Sequence, residues 1–275
     1  MPRTVNRSLL DNAKNNKNDE FYTQFVDIER ELKHYKEQFA GKVIYCNCDD
    51  PYKSNFFKYF ALNFNHLKLK KLVTTYYTRK SKNLELFDSK DSQEKNIKYS
   101  HKIIVTEQLP NTNDNLINIE HILHNPKNSF SKLEGNGDFR SNECLTLLKE
   151  ADIVVTNPPF SLFREYIDTL VKYSKKFLII SPVNALTYKN IYPLIKENKI
   201  WVGINLGRGI SGFIVPEYYE LYGLETKINE YGERIISPNN CMWLTNLNNT
   251  KRQEFIPLTK KYIGNEFAYP RYCIC

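Results

Sequence analysis

The stretch at residues 151–160, with the sequence ADIVVTNPPF, constrains the fold more than any other part of the chain. Its first half is short, β-branched and continuously apolar, which is typical of a strand buried on both faces of a parallel sheet. Pro158 and Pro159 end that strand because neither has an N–H group to offer a neighbouring strand. The sequence therefore predicts a stiff Asn-Pro-Pro-Phe loop at the carboxyl end of a central strand, where open α/β sheets place their ligands.

The hydrophobic pattern of the other segments alternates between short apolar runs and helical stripes. Strands are predicted at residues 43–48, 71–77, 103–105, 176–180, 200–203 and 241–245. Helices are predicted at residues 25–39, 56–64, 144–149, 162–171 and 191–198, with Ser161 as the N-cap of the fourth. This order predicts an α/β fold in which helices cover both faces of a doubly wound sheet.

The Asn-Pro-Pro-Phe loop carries groups that suit chemistry on an exocyclic amino group. An aromatic amine is a poor nucleophile because its lone pair is delocalised into the ring. The side-chain oxygen of Asn157 and the carbonyl oxygen of Pro158 could accept its two N–H bonds, while Pro159 restricts the movement of that carbonyl. Phe160 offers a face on which a flipped-out base could stack. An ordinary loop with a buried phenylalanine is the alternative, and these four residues alone do not exclude it.

Carboxylates follow the first predicted strand. Asp49, Asp50 and Pro51 come directly after it, and Ser54 precedes the next helical stripe. A strand, an acidic turn and a helix in this order are typical of a nucleotide-like pocket, in which the carboxylates could hold an amine or a ribose hydroxyl. An acidic helix N-terminus at the surface is the alternative. No G-x-G-x-x-G motif follows this strand, so the turn carries no dinucleotide fingerprint.

A turn-rich segment at residues 135–141 places an acid beside an aromatic residue shortly before the Asn-Pro-Pro-Phe strand. In a functional interpretation it forms an adenine pocket, in which Asp138 accepts a hydrogen bond from an amino group and Phe139 packs on the ring. In the plainer interpretation it is a tight loop between two elements.

Charge and composition indicate the class of partner. The net charge of +8 and the pI near 9.0 favour a polyanion, although a chain rich in lysine and asparagine is also basic by composition alone. The six cysteines show no zinc-ribbon spacing, so the sequence predicts no metal site. Without a signal peptide or a long apolar run, we expect a reduced protein of the cytoplasm.

Four segments, taken together and in order, resemble one family. They are FYTQ at residues 21–24, VIYCNCDDPYKS at 43–54, GDFRS at 137–141 and NPPF at 157–160. The chain thereby resembles the EcoRI-type adenine-specific DNA methyltransferases over nearly its whole length. The resemblance implies a Rossmann-like class I methyltransferase fold with a seven-stranded sheet, S-adenosylmethionine as the methyl donor, and N6 of adenine in double-stranded DNA as the acceptor. NPPF alone is less specific, because related NPPY loops act on RNA bases and on glutamine side chains.

The resemblance also implies roles for individual residues. Asn157, Pro158, Pro159 and Phe160 match the motif that holds the target amine. The residues that match donor-binding motifs are Tyr22 and Thr23 at the methionine part, Asn47, Asp49, Asp50, Pro51 and Ser54 after the first strand, and Asp138 and Phe139 beside the donor adenine. The chain departs from the wider methyltransferase pattern at the second strand, which ends in Thr74 and Thr75 instead of an acid. Asp49 or Asp50 is therefore the candidate for holding the donor ribose.

The predicted organisation follows from this resemblance and from composition. Residues 1–18 are predicted to be a flexible basic arm, 19–204 the catalytic core, 205–240 a DNA-recognition insertion, and 241–275 a returning strand with a basic C-terminal tail. In the insertion, Arg208 and Arg234 are candidates for phosphate or base contacts, although exposed arginines are more often simply solvated.

The sequence thus predicts a site-specific DNA adenine N6-methyltransferase; whether it serves a restriction-modification system, belongs to a phage or stands alone is not predicted. Two alternatives stay open: a methyltransferase for RNA bases or protein glutamine, and a non-catalytic nucleic-acid-binding protein that has kept the fold. The basic charge favours a nucleic acid over a protein as acceptor. The intact NPPF loop argues for catalysis, since a protein that only binds has no evident need for it. The target sequence and the oligomeric state are not predicted.

Overall fold

The computed structural model describes residues 22–77, 100–107, 119–205, 210–215, 226–229, 232–237, 240–254, 262–264 and 267. The predicted arm at 1–18, Arg208 and most of the predicted tail after residue 254 lie outside the described residues. None of the helices in the described ranges is long and apolar enough to span a membrane.

The described residues form twelve strands and seven α-helices. The strands are β1 (Tyr22–Thr23), β2 (Val43–Cys46), β3 (Lys71–Thr75), β4 (His101–Val105), β5 (Ser129–Lys132), β6 (Ile153–Thr156), β7 (Lys176–Pro182), β8 (Trp201–Val202), β9 (Phe213–Val215), β10 (Thr226–Ile228), β11 (Arg234–Ile236) and β12 (Cys241–Thr245). The helices are α1 (Phe25–Leu32), α2 (Lys36–Phe39), α3 (Asn55–Leu62), α4 (Ile119–His124), α5 (Asn142–Glu150), α6 (Phe163–Lys172) and α7 (Tyr192–Lys196).

The main sheet has the strand order β5-β4-β3-β2-β6-β7-β12-β8. The four central strands β3, β2, β6 and β7 are parallel, whereas β12 and the pair β4–β5 run antiparallel to their neighbours. This confirms the predicted α/β class. The sheet has eight strands, one more than the resemblance implies, because the chain after β3 returns as the antiparallel pair β4–β5 and extends that edge.

The strand order reverses between β2 and β6, which pair directly through Ile44 with Ile153 and Tyr45 with Val154. From β2 the sheet continues to β3 on one side, and from β6 to β7 on the other. Such a reversal opens a crevice at the carboxyl ends of the two strands, because their following loops leave to opposite faces of the sheet. The acidic turn follows β2 and the Asn-Pro-Pro-Phe loop follows β6, so both motifs border this crevice.

Helices bury both faces of the central strands. Ile44 and Val155 belong to one core cluster, which α1 and α3 complete with side chains such as Leu32 and Phe60. Tyr45 and Val154 point to the other face and belong to a second cluster, to which α5 and α6 contribute. Every residue of β2 and β6 is buried, which explains their continuous apolar sequence.

Two predicted helix details are wrong. The predicted helix at 25–39 is broken by a 3₁₀ turn at Lys33–Tyr35, which separates α1 from α2. Ser161 is not an N-cap, because it lies within a 3₁₀ turn at Phe160–Leu162 and α6 begins only at Phe163. The carbonyl of Pro159 accepts a 3.0 Å hydrogen bond from the Leu162 N–H, which tightens the end of the loop into that turn.

A second, four-stranded antiparallel sheet has the order β1-β9-β11-β10. In it Tyr22 lies opposite Ile214 and Thr23 lies opposite Phe213. The segment that the resemblance assigns to the donor is therefore paired with the predicted DNA-recognition insertion. The side-chain amide of Gln24 extends this connection with hydrogen bonds of 2.8 Å to Ser211 Oγ and 3.2 Å to the Gly212 carbonyl.

Two fully buried carboxylates on α1 fix the chain on both sides of residues 206–209. Asp27 Oδ2 accepts hydrogen bonds from the Ser211 N–H at 2.7 Å and the Ser211 hydroxyl at 2.8 Å. One turn later, Glu31 accepts from the Ile204 N–H at 2.7 Å and the Asn205 N–H at 3.0 Å. Buried carboxylates are tolerated only with such partners, so α1 is a specific anchor for the second sheet.

Replacement of Glu31 by alanine should destabilise the fold strongly. It leaves the buried N–H groups of Ile204 and Asn205 and the hydroxyl of Tyr35, 2.9 Å from Glu31 Oε1, without their acceptor. We expect the free energy of unfolding, measured by urea denaturation, to fall by about 3 kcal/mol. Glu29→Ala, at an exposed position of the same helix, is the matched control and should change it by less than about 0.5 kcal/mol. Equal effects of the two substitutions would contradict the anchoring role.

Candidate active site

Polar side chains from two neighbouring strands meet at the crevice between β2 and β6. The carboxylate of Asp49 accepts a 2.6 Å hydrogen bond from the Ser54 hydroxyl through Oδ1. Its Oδ2 accepts a short hydrogen bond from the hydroxyl of Thr156. Thr156 is the last residue of β6 and directly precedes Asn157. The acidic turn and the Asn-Pro-Pro-Phe loop are therefore joined by one buried carboxylate.

Threonines occupy the position at which the wider family ends its second strand with an acid, and they support the acidic turn from β3. The hydroxyl of Thr74 donates to the carbonyl of Asp49 at 2.8 Å and to that of Cys46 at 3.1 Å. The hydroxyl of Thr75 donates to the carbonyl of Asn47 at 3.3 Å. Sequence reasoning gave these threonines no function. The feature that could have indicated a role is a pair of hydroxyl side chains in a buried strand, because buried hydroxyls need hydrogen-bond partners.

Burial raises the pKa of the Asp49 carboxyl to about 7, although the hydrogen bonds from Ser54 and Thr156 oppose this shift. Burial also raises the pKa of the neighbouring Asp50, whose Oδ1 accepts a 3.0 Å hydrogen bond from the Tyr52 N–H. Two carboxyls with raised pKa values at the mouth of a crevice are typical of functional sites, though structural networks produce them as well.

The remaining residues of the acidic turn are held in place from both sides. The side-chain oxygen of Asn47 accepts a 2.5 Å hydrogen bond from the hydroxyl of Tyr166 on α6. Pro51 is buried, and Ser54 is the N-cap of α3, where its hydroxyl accepts from the Phe56 N–H at 3.1 Å. The turn is therefore a rigid platform rather than a loose loop.

The Asn-Pro-Pro-Phe loop runs from the end of β6 to α6. Pro158 is buried, whereas Asn157, Pro159 and Phe160 are half-buried. The ring of Phe160 packs edge-on against Phe163, with 6.5 Å between the ring centroids. The loop is thus anchored by its apolar members; the ring of Phe160 stays partly accessible, whereas the side-chain oxygen of Asn157 is buried although the residue as a whole is half-buried.

The GDF segment packs on the chain that follows β3. Gly137 has a φ of +78°, and a Cβ atom there would lie 2.3 Å from the carbonyl oxygen of Tyr76. Only glycine allows this close approach. Two hydrogen bonds from Arg140, of 2.7 and 2.9 Å, hold the pKa of the Asp138 carboxyl below its usual value. Phe139 is buried and packs edge-on against Tyr166 at 5.1 Å, so its ring belongs to the core beside the crevice.

Tyr22 and Thr23 lie next to the start of α3. The side-chain amide of Asn55 donates a 2.8 Å hydrogen bond to the Thr23 carbonyl, which ties β1 to the residue after Ser54. The Thr23 hydroxyl is buried and has no hydrogen-bond partner within the described part of the chain. A buried hydroxyl without a partner is unfavourable, so a bound polar ligand would satisfy it.

Comparison with known proteins shows the family of this chain. A family model described as adenine-specific methyltransferase EcoRI matches residues 9–275. The chain belongs to this family. It is 55% identical over 273 residues to the Type II methyltransferase M.EcoRI of Escherichia coli. This alignment covers 99% of the chain and 78% of M.EcoRI. Among solved structures, none gives a significant match.

Two mycoplasma proteins are more distant relatives. The chain is 35% identical over 262 residues to the Type II methyltransferase M.MgeORF184P of Mycoplasma genitalium, and 34% identical over 263 residues to M.MpnI of Mycoplasma pneumoniae. Each alignment covers 94% of this chain and 71% of the relative. Family membership confirms the predicted class of enzyme, a DNA adenine methyltransferase.

The raised pKa of Asp49 should make the stability of this methyltransferase depend on pH. The pKa of an aspartate in an unfolded chain is about 3.9. Between this value and about 7, the folded chain holds a proton on Asp49 that the unfolded chain lacks. The contribution of Asp49 to the free energy of unfolding therefore falls as the pH rises through this window, by at most about 1.4 kcal/mol per pH unit.

Asp49→Asn removes this titration. We expect urea denaturation to show that the free energy of unfolding of the variant, relative to wild type, increases between about pH 4.5 and about pH 7.5. The comparison at each pH cancels the titration of all other groups that the two proteins share. A relative stability that stays constant across this range would contradict the raised pKa of Asp49.

Proposed function

We propose that this chain transfers the methyl group of S-adenosylmethionine to N6 of adenine in double-stranded DNA, at a specific target sequence. One observation carries the proposal: the acidic turn after β2 and the Asn-Pro-Pro-Phe loop after β6 lie at one crevice and share the Asp49 carboxylate. A donor held by the first and an amine held by the second would meet there, which is what group transfer between two bound molecules requires.

Several groups at the crevice suit the methyl donor. When bound, S-adenosylmethionine supplies a methyl group that is already electrophilic because it is attached to a sulfonium. The buried hydroxyl of Thr23 would form a hydrogen bond with the methionine part of the donor, as donor or as acceptor. Tyr22 lies beside it in β1. Asp50 would hold the ribose, and Asp138 with the Gly137 turn would border the adenine.

The Asn-Pro-Pro-Phe loop would prepare the target amine. A base inside a duplex cannot present its amino group, so the adenine must leave the stack, at a cost of about a few kcal/mol. Stacking on the half-buried ring of Phe160 offsets part of that cost. Asn157 Oδ1 and the carbonyl of Pro158 would accept the two N–H bonds, which directs the lone pair toward the donor; the proton is lost after transfer.

DNA is the acceptor that the observations favour over RNA or protein. The net charge of +8 suits a polyanion. The relatives that match over most of the chain are named Type II methyltransferases. We propose a role in a restriction-modification system on the same ground. The free thiols of Cys46, Cys144 and Cys241 suit the reducing cytoplasm that the sequence predicts.

The predicted division of the chain stands as part of this proposal. Residues 19–204 would be the catalytic core and 205–240 the DNA-recognition insertion. The described parts of the insertion form β9, β11 and β10, paired in that order. The antiparallel pairing of β9 with β1 would hold a recognition surface beside the donor site. Two-stranded β-ribbons are among the elements that enter the major groove.

Labelled-methyl transfer from S-adenosylmethionine, with duplex DNA, RNA and a protein extract as parallel acceptors, tests the acceptor. We expect label in DNA, recovered as N6-methyladenine. Label only in RNA or only in protein would keep the chemistry and overturn DNA as the acceptor. The absence of label from all three, together with absent donor binding by calorimetry, would contradict catalysis altogether.

Asn157→Ala should abolish transfer and leave donor binding largely intact, because the side chain is proposed to contact the amine rather than the donor. We expect a loss of at least about 100-fold in the rate of transfer, comparable to the removal of an oriented hydrogen-bonding group at a reacting centre. The donor dissociation constant should stay within about threefold of wild type. Asn65→Ala, at an exposed position beyond α3, is the control for asparagine loss. Near-normal transfer by Asn157→Ala would rule out the assigned role.

A further inference from the structure

The side chain of Asp49 connects two parts of the site that the sequence treats as separate motifs. Its Oδ1 accepts from Ser54 Oγ at 2.6 Å, within the acidic turn and α3. Its Oδ2 accepts from the hydroxyl of Thr156 at the end of β6. Thr156 is joined to Asn157 by one peptide bond, so this carboxylate holds the residue directly before the target-amine loop.

Asp49 is itself held firmly from its backbone. Thr74 on β3 donates a 2.8 Å hydrogen bond to the Asp49 carbonyl. Ser54, which holds the other carboxylate oxygen, is fixed as the N-cap of α3. A displacement of Thr156 would therefore break its bond to Asp49 rather than carry Asp49 along. The acidic turn serves as the fixed reference, and the end of β6 is positioned against it.

The low solvent exposure of Asp49, Thr156 and Thr74 indicates that they position other residues and do not contact ligands themselves. Both oxygens of Asp49 are bonded to protein hydroxyls and the residue is 6% exposed, while Thr156 and Thr74 are fully buried. Neither threonine can touch the donor or the DNA. The hydroxyl of Thr156 donates to the carboxylate of Asp49 and also lies within hydrogen-bonding reach of the Cys48 thiol.

We propose that Asp49 is a positioning residue for methyl transfer, which acts on the target amine through Thr156 and Asn157 rather than as a ligand of the donor. This refines the sequence-based assignment of Asp49 to donor binding. It rests on the proposed function, because it requires that Asn157 holds the amine. A misplacement of about 1 Å at a reacting centre can cost about 100-fold in rate, so one hydrogen bond behind the loop is sufficient to matter.

Three substitutions isolate the hydrogen bond. Thr156→Val removes the hydroxyl and keeps the β-branched shape, whereas Thr156→Ser keeps the hydroxyl. Thr245→Val is the matched control: Thr245 is also fully buried in the main sheet, and its hydroxyl donates at 2.6 Å to the carbonyl of Phe177, away from the two motifs. The Thr245 hydroxyl also accepts a 3.0 Å hydrogen bond from the Leu247 N–H, so the control removes at least as many hydrogen bonds from a buried strand as Thr156→Val does.

The experiment combines single-turnover transfer of labelled methyl from S-adenosylmethionine to unmethylated plasmid DNA with calorimetric binding of S-adenosylhomocysteine, all on the full chain. We expect Thr156→Val to lower the transfer rate by about 10- to 100-fold while the dissociation constant of S-adenosylhomocysteine stays within about threefold of wild type. Thr156→Ser should recover most of the rate, and Thr245→Val should transfer at nearly the wild-type rate.

Several outcomes overturn the inference. Equal rates for Thr156→Val and Thr245→Val would show that the bond to Asp49 has no special role, and a matching loss of S-adenosylhomocysteine binding would place Asp49 in the donor site. If Thr156→Val does not fold, as circular dichroism reports, Asp49→Ala, which removes both acceptor oxygens, replaces it with the same expected split between rate and binding, and a normal rate overturns the inference. A wild-type chain that transfers no label to DNA contradicts the proposed function instead.

Discussion

A carboxylate buried at the edge of a sheet is tolerated only where hydrogen-bond donors surround it, and the arrangement around Asp49 follows from this constraint. Ser54 satisfies one oxygen and Thr156 the other, so the demand for partners draws the acidic turn and the end of β6 together. The same constraint acts on the second sheet, where buried Asp27 takes its partners from Ser211. Buried acids thus fix the position of loops that the sheets bring near one another.

The reversal of strand order between β2 and β6 supplies the space that this network borders. Parallel strands put their carboxyl ends at the same edge, so the acidic turn and the Asn-Pro-Pro-Phe loop become neighbours although more than a hundred residues separate Asp49 from Thr156 in sequence. The pairing of β1 with β9 adds Thr23 and the described part of the insertion to the same region. The two sheets are joined here, through the start of α3, by the hydrogen bond from the Asn55 side chain to the Thr23 carbonyl.

Much of the fold could be predicted because its central strands are buried on both faces and show continuous apolar runs; β12 begins and ends where the sequence predicts. Local patterns failed where tertiary contacts decide. Ser161 has the chemistry of an N-cap, yet the hydrogen bond from Leu162 to Pro159 delays the helix. The hydrogen-bond acceptors of the Thr74 and Thr156 hydroxyls could not be predicted from sequence. A hydroxyl in a buried strand must find an acceptor, but the sequence does not indicate which one.

The proposed methyl transfer depends on a single geometry: an adenine outside the duplex whose amino group meets Asn157 and Pro158 while the donor lies against the acidic turn. A crystal structure of the chain with target DNA and the donor analogue sinefungin would measure it directly. We expect the adenine N6 within hydrogen-bond distance of both Asn157 Oδ1 and the Pro158 carbonyl, with the Asp49–Thr156 bond intact. An adenine that stays stacked in the duplex, or an N6 held by other residues, would contradict the account.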